Sequence, residues 1–441
     1  MKYFRPGDMI PIEIGGEAKV IKKLGEGGQG AVYLVDYQGK QYALKWYFKG
    51  RISETYETQF KQNLAQNVSE GSPSPKFLWP LFLAKPANGS FGYLMEVFPA
   101  GYTSFPKILL AQANFQSMEA IVNASLNLIN AFRDLHRVGK GYQDLNDGGF
   151  VIRLSDGDVL ICDCDNVAPH GISLGIAGKQ GYMAPEVVRG EERPSMNTDK
   201  YSLGVILFKL LTRSDPLEGK RVIESVCLSE ATERMHYGEK PLFIFDPQDA
   251  GNRPVRGVHN NAIRFWPLLP EYIRNAFITA FCDGLMNPAK RLPDNEWLKL
   301  FIRFKEDLVT CPSCGAEGYL STYEQNGGDL ACRSCKTSYA APLTLALKRY
   351  QIPLFPSASL YQYHTDSDSN DLSCEDYLTK TGLVIQNKKD PTRWGIRNLT
   401  DGQWFVTQVG EKPVPLESGK VVPIVKGTKI TFKNGETAEI V

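Results

Sequence analysis

The sequence predicts an α+β chain in four successive parts: strands, then helices, then cysteine-punctuated turns, then strands again. Three observations carry this. From Lys19 to Tyr47, in "KVIKKLGEGGQGAVYLVDYQGKQYALKWY", apolar residues recur at period two on either side of Gly-rich turns, the pattern of three antiparallel strands. The middle of the chain holds long apolar-periodic runs, the clearest being "SMEAIVNASLNLINAFRDLHRVG". Beyond Ala341, short apolar runs alternate with Gly, Asn and Asp turns.

At 441 residues the chain has room for more than one domain. Lys plus Arg total 50 against 49 Asp plus Glu, so no excess charge draws the protein to nucleic acid or an anionic membrane. The opening "MKYFRPGDMI" lacks the apolar run and small-residue cleavage site of a secretory signal. No window approaches the ~20 apolar residues of a membrane span. The expectation is a cytoplasmic protein with neither nucleic-acid nor membrane partners. Four of nine cysteines lie in two Cys-x-x-Cys pairs, which in a chain without a secretory signal favours metal ligation over a disulfide framework.

Taken in order, "LGEGGQGAV" places Gly25, Gly27 and Gly30 in a Gly-x-Gly-x-x-Gly pattern followed by Val32. Such a hairpin can approach phosphates closely and aim backbone N–H groups at them. The chain then continues as strand, where a dinucleotide site requires a helix. "YALKW" puts Ala43 and Lys45 on the next strand, and "SETYETQFKQNLAQNV" reads as a helix with Ser53 at its N-cap. Two extended segments, "FLWPLFLA" and "YLMEVFP", lead to the helical middle. After its long helix come Asp144 in "GYQDLNDGGF", Asp163 in "VLICDCDN", and Ala184-Pro185-Glu186 in "GYMAPEVV". Helical "TDKYSLGVILFKLLT" and "EYIRNAFITAFCDGL" follow. "NPAKRL" then offers Arg291 as a partner for Glu186.

In this order and spacing, these segments resemble the eukaryotic-like protein kinase fold over roughly residues 15–305. "GSPSPKFLWPL", "LICDCDNV", "RSDPLEGK" and "FIFDPQDAGNRPV" resemble more narrowly a bacterial branch. These are the kinases of tellurite-resistance-type gene clusters, found beside von Willebrand A-domain proteins and PPM-type phosphatases. The resemblance implies a bilobal fold, with an N-lobe over 1–100 and a C-lobe over 101–305. It implies Mg-ATP-dependent phosphorylation of protein Ser or Thr, with a protein substrate and those two protein classes as partners. Lys45 would grip the α and β phosphates, Asp144 would position the hydroxyl, and Asp163 would hold magnesium. Gly25, Glu26, Gly27, Gly28, Gln29, Gly30, Val32 and Ala43 would surround ATP, with Met95 as gatekeeper and Glu96, Val97 and Phe98 as the hinge.

The departures are specific. Tyr142 and Gln143 stand where His and Arg are usual, and Gly149 stands in place of the Asn that binds a second magnesium. Asn146 is the candidate replacement ligand, with Asp147 beside it. The first helix has "FKQNLAQN" near the place expected for a glutamate partner of Lys45, and Glu57 lies one to two turns early. Losing one electrostatic group at a transferring phosphoryl costs ~10²–10³ in rate. Two classes therefore stay open: a kinase, slow unless compensated, or a pseudokinase scaffold that binds ATP or partners.

"CPSCG" and "CRSCK" place Cys311, Cys314, Cys332 and Cys335 as two knuckles that together close a tetrahedron around one structural Zn2+. The expected module is a zinc ribbon over 306–340. Residues 341–441 resemble a forkhead-associated (FHA-like) β-sandwich in "WGIRNLTDGQWFV" and "LESGKVVPIVKGTKITF". The Gly-Arg and Ser-x-x-His elements that read phosphothreonine in that family are not recognisable, which implies docking or stabilisation. His364 is expected to be an ordinary partly buried residue, and "HTDSDSNDLS" a polar loop.

Overall fold

The alternating segment forms strands β1 (Met9–Pro11), β2 (Glu17–Glu26), β3 (Gly30–Tyr37) and β4 (Lys40–Tyr47). With β5 (Phe82–Ala87) and β6 (Ser90–Met95) they make an antiparallel sheet ordered β1-β2-β3-β4-β6-β5. The coordinates are a computed structural model, which describes residues 3–87, 89–176, 178–225, 229–365 and 374–441. Period two gives the sheet two faces. Ala18, Val20, Tyr33, Val35, Leu44 and Trp46 bury one face together. Ala43, Tyr47, Tyr93 and Met95 bury the other against Phe60 and Leu64 of helix α1 (Glu54–Glu70). Ser53 stands at the α1 N-cap, but its side chain makes no capping bond.

The segment predicted to be extended over 77–84 divides. Leu78 N donates to Ile161 O at 2.8 Å, so this part pairs away from the sheet, and β5 starts only after Pro80. Helix α2 (Met118–Arg137) leads to the hairpin β7 (Phe150–Arg153) and β8 (Asp158–Ile161), which frames the predicted site. Helix α3 (Met196–Thr212) is buried nearly throughout, as its continuous apolar run requires. The run predicted as one helix over 271–285 is α-helical for Glu271–Ile278 and widens to a π-turn over Thr279–Asp283.

Two compact units do not follow chain order. The first holds residues 1–115, 127–264 and 275–297; the second holds 116–126, 265–274 and 298–441. In the second unit, Leu308–Thr310 pairs with Glu317–Tyr319, and Glu324–Asn326, Asp329–Ala331 and Ser338–Tyr339 form a small sheet. After residue 341 come a six-stranded and a four-stranded sheet. Leu345, Trp404, Ile430 and Ile440 from the first bury one core with Leu360, Val384, Ile396 and Val422 from the second, the packing of a two-sheet sandwich. The predicted polar loop over 364–373 lies outside the described residues from 366 onward; His364 is buried, accepts from Tyr361 N at 2.9 Å and meets Glu306 Oε1 at 2.7 Å.

Candidate active site

Strand alternation places Ala43, Lys45 and Tyr47 on one face of β4, with Lys45 opposite Tyr93 and Ala43 opposite Met95. Lys45 Nζ lies 2.9 Å from Asp163 Oδ1 and 2.9 and 2.8 Å from the two oxygens of Asp165. Burial would lower the Lys45 ammonium, but the charges of Asp165 and Asp163 reverse this and hold it above its usual value. Asp165 is fully buried and accepts hydrogen bonds from Tyr47 Oη and, at 2.8 Å, from Tyr93 Oη. Burial pushes its carboxyl up; Lys45 and the two hydroxyls outweigh that and hold it below the usual range.

Asp165, Tyr47 and Tyr93 were not legible as site residues by motif. The available signals were the period-two relation of Tyr47 to Lys45 and the carboxylate two positions after Asp163. Helix α1 does not supply the partner. Glu57 pairs with Lys61 at 2.6 Å, and the buried face of the helix is Phe60, Asn63, Leu64 and Asn67. Asn63 and Asn67 instead donate to Val167 O at 2.7 and 2.8 Å.

Asp199 on α3 accepts the backbone N–H groups of Tyr142 at 2.6 Å and Gln143 at 3.1 Å, fixing the loop that carries Asp144. Asp144 is partly buried, and this burial pushes its carboxyl up, while a 2.9 Å hydrogen bond from Asn146 Nδ2 opposes the shift. Gln143 Nε2 donates to Ile172 O at 2.6 Å. Lys179 pairs with Asp147. Glu186 and Arg291 form the expected pair, buried and doubly bonded at 2.7 Å.

The residues present fit one magnesium at Asp163, and Asn146 with Asp147 is the set left for a second. Asp163, its side chain about half exposed, has oxygen available. Gly149 has no side-chain oxygen, while Asn146 Oδ1, the predicted substitute, accepts one hydrogen bond, from Gly148 N at 2.8 Å, and keeps a second lone pair.

At the turn predicted to meet phosphate, Gly25, Gly27 and Gly28 face open space, Glu26 is exposed and Gln29 is half-buried. A Cβ on Gly30 would lie 2.3 Å from Trp46 O, so close strand approach requires glycine there. Val32 is half-buried and Ala43 buried. At the predicted hinge Met95 is buried, Val97 and Phe98 are exposed, and the Glu96 side chain pairs with Lys40 at 2.9 Å.

In the second unit the ligating atoms of Cys311, Cys314, Cys332 and Cys335 all lie within 4.8 Å of one another. The two knuckles share one geometry. Gly315 N donates to Cys311 O and Lys336 N to Cys332 O, both at 2.9 Å, and Gly315 and Lys336 have φ of 70° and 62°.

Residues 18–241, about half of the chain, match the family model described as protein kinase domain. Human ribosomal protein S6 kinase alpha-4 is 28% identical over 221 residues, 46% of this chain and 27% of that protein. Mitogen-activated protein kinase kinase kinase 13-A of Xenopus laevis is 27% identical over 214 residues, 47% of this chain and 20% of that protein. The matches thus span about a quarter of the length of these relatives. Among solved structures, the PknI kinase domain of Mycobacterium tuberculosis aligns with TM-score 0.47 and 15% identity, covering 69% of this chain and 100% of that one. With the family model spanning both the lysine strand and the loops that carry its acidic partners, the chain belongs to the protein kinase domain family.

Proposed function

We propose that the protein is an ATP-dependent serine/threonine kinase that transfers the γ-phosphate of Mg-ATP to a protein hydroxyl. Membership of the family implies ATP and Mg2+ as cofactors. The observation that carries the proposal is the pairing of buried Lys45 with Asp163 and with the fully buried Asp165, in a site that also holds the partly buried Asp144. Keeping charges buried is costly, and a site that had lost its ligand would have no use for them.

Lys45 and the turn around Gly25, Gly27 and Gly30 would hold the nucleotide phosphates, with Met95, Glu96, Val97 and Phe98 along the adenine edge. Bound Mg2+ supplies charge neutralisation at the phosphates, and Asp163 is the residue to hold it. Asp144 orients the substrate hydroxyl and accepts its proton. Its raised pKa makes it a better base than a solvated carboxylate. Asn146 holds Asp144 in place.

A second function, a pseudokinase scaffold, is favoured by one observation: Gly149 carries no side chain where the family's metal-binding asparagine stands. The domain limits we propose are 1–100 and 101–305 for the lobes, 306–340 for a zinc ribbon and 341–441 for an FHA-like sandwich. The four convergent thiols support the ribbon and the two facing sheets the sandwich. These modules would choose partners, for which a PPM-type phosphatase and a von Willebrand A-domain protein are our candidates. No helix among the described residues is long and apolar enough to cross a membrane, and we place the protein in the cytoplasm.

The test is transfer from labelled ATP by purified protein. Asp144→Ala should keep Mg-ATP binding and lose at least ~10²-fold in transfer, whereas Asp163→Ala should lose magnesium-dependent binding. Unchanged labelling in Asp144→Ala rejects the kinase; binding without transfer in the wild type selects the scaffold.

A further inference from the structure

We propose that Asp165 is the positioning residue that fixes Lys45 for the nucleotide phosphates, doing from the segment after Asp163 what a glutamate on α1 would otherwise do. The inference rests on the kinase function proposed above, and four observations carry it.

Asp165 engages Lys45 with both oxygens, at 2.9 and 2.8 Å, where Asp163 uses one at 2.9 Å. The two carboxylates also differ in what they can do next. The Asp163 side chain is 48% exposed and that of Asp165 is 0%. Asp163 can turn to a metal and remain solvated; Asp165 cannot leave Lys45 without stranding a buried charge.

The Asp165 carboxylate is itself held from behind. Tyr93 donates to Oδ1 and Tyr47 to Oδ2, so one hydroxyl fixes each oxygen. Finally, the two hydrogen bonds that α1 sends to this segment come from neutral groups. Asn63 and Asn67 both donate to Val167 O, two residues beyond Asp165.

The lysine's anchor and the metal ligand therefore ride on one short segment, residues 163–167. Movement of α1 would not break an ion pair to Lys45, so the lysine stays charged and aimed with no glutamate to swing in. Assembly of the site is set by how that segment packs against Tyr47 and Tyr93.

The test is calorimetric binding of Mg-ATP, Mg-ADP and adenosine to the full chain, with transfer measured alongside. Asp165→Asn should weaken Mg-ATP and Mg-ADP by at least ~10-fold, the loss of a charge-assisted anchor. Adenosine, which has no phosphate for Lys45, should bind as to wild type. The transfer defect should appear mainly as a raised KM for ATP. Tyr93→Phe, which keeps the charge and removes one hydroxyl, should give a smaller loss of the same phosphate-dependent kind, and serves if Asp165→Asn does not fold. Glu57→Gln should match wild type in every measurement.

Equal loss of adenosine and Mg-ATP binding in both site variants would reduce Asp165 to a structural residue and overturn the proposal. So would wild-type Mg-ATP affinity in Asp165→Asn, or a phosphate-dependent loss in Glu57→Gln. A wild-type chain that binds no nucleotide at all fails the kinase function itself, and the proposal falls with it; this outcome is distinct because it appears before any variant is compared.

Discussion

A Cβ added at Gly149 would sit 3.0 Å from Tyr142 Oη and 3.4 Å from Asn146 O. The two departures in this loop are thus one arrangement. Tyr142 is buried and sends its hydroxyl to Cys162 O, past the position where a side chain at 149 would begin. Restoring the usual asparagine by Gly149→Asn should therefore lower stability by ~1–3 kcal/mol, as overpacking does, without raising transfer. Adding Tyr142→His should recover most of that loss; urea denaturation of the three variants measures it. Both positions were visible in the sequence as anomalies, but their contact was not. Motif spacing says which residue is missing, and it cannot say which neighbour fills the space. The partner of Lys45 shows the same limit. The lysine and Asp163 were legible from local pattern. Asp165 is not legible in that way, because a carboxylate's reach to an amine is decided by the path of the chain through space.

At the scale of elements, α2, α3 and the start of the helix Asp294–Glu306 meet at His136. Its Nδ1 lies 2.7 Å from Asp294 Oδ2 and its Nε2 3.4 Å from Asp199 Oδ2. Burial lowers the His136 pKa, and the hydrogen bonds and charges of Asp199 and Asp294 more than reverse that, to about 9. A folded-state pKa raised above the unfolded value of about 6.5 gives stability fully present below pH ~6.5 and lost as pH rises through ~9. The contribution is on the order of 3 kcal/mol. Unfolding followed across that window should show the fall, and His136→Gln should flatten it while lowering stability at neutral pH. Because Asp199 also holds the Tyr142 and Gln143 amides, this cation braces the loop that carries Asp144. The cysteine knuckles were the most legible elements, since a Cys-x-x-Cys turn is local. We expect one zinc per chain by metal analysis. Cys332→Ser should release it and destabilise the region from residue 306 onward more than it affects ATP binding. The sandwich strands were legible from their turns, but their order in two sheets was not, because pairing is non-local.

For the whole molecule, the second unit takes in pieces of the helical region. Tyr272 Oη donates to Asp307 at 3.0 Å, Met118 N to Glu317 at 3.0 Å, and Lys380 pairs with Glu119 at 2.8 Å. Phe304 stacks on Tyr319 with centroids 4.3 Å apart, and buried Lys305 donates to Asn123 at 2.7 Å. A truncated chain of residues 1–305 ends where the sequence pattern ends, yet it strips these partners away and exposes Phe304. It should aggregate or melt well below the full chain, at equal concentration, in size-exclusion and thermal unfolding measurements. Comparable stability of the two would show that the C-terminal region is dispensable for folding.

The mixed membership of that second unit also bears on how such a chain can change over generations. A recombination event that placed this C-terminal region behind a different catalytic domain would join it to foreign residues at positions equivalent to 116–126 and 265–274. Glu317, Asp307 and Lys380 would then face the wrong neighbours. Exchange of the tail should therefore succeed only between chains whose helices already match it, at residues such as Tyr272 and Glu119.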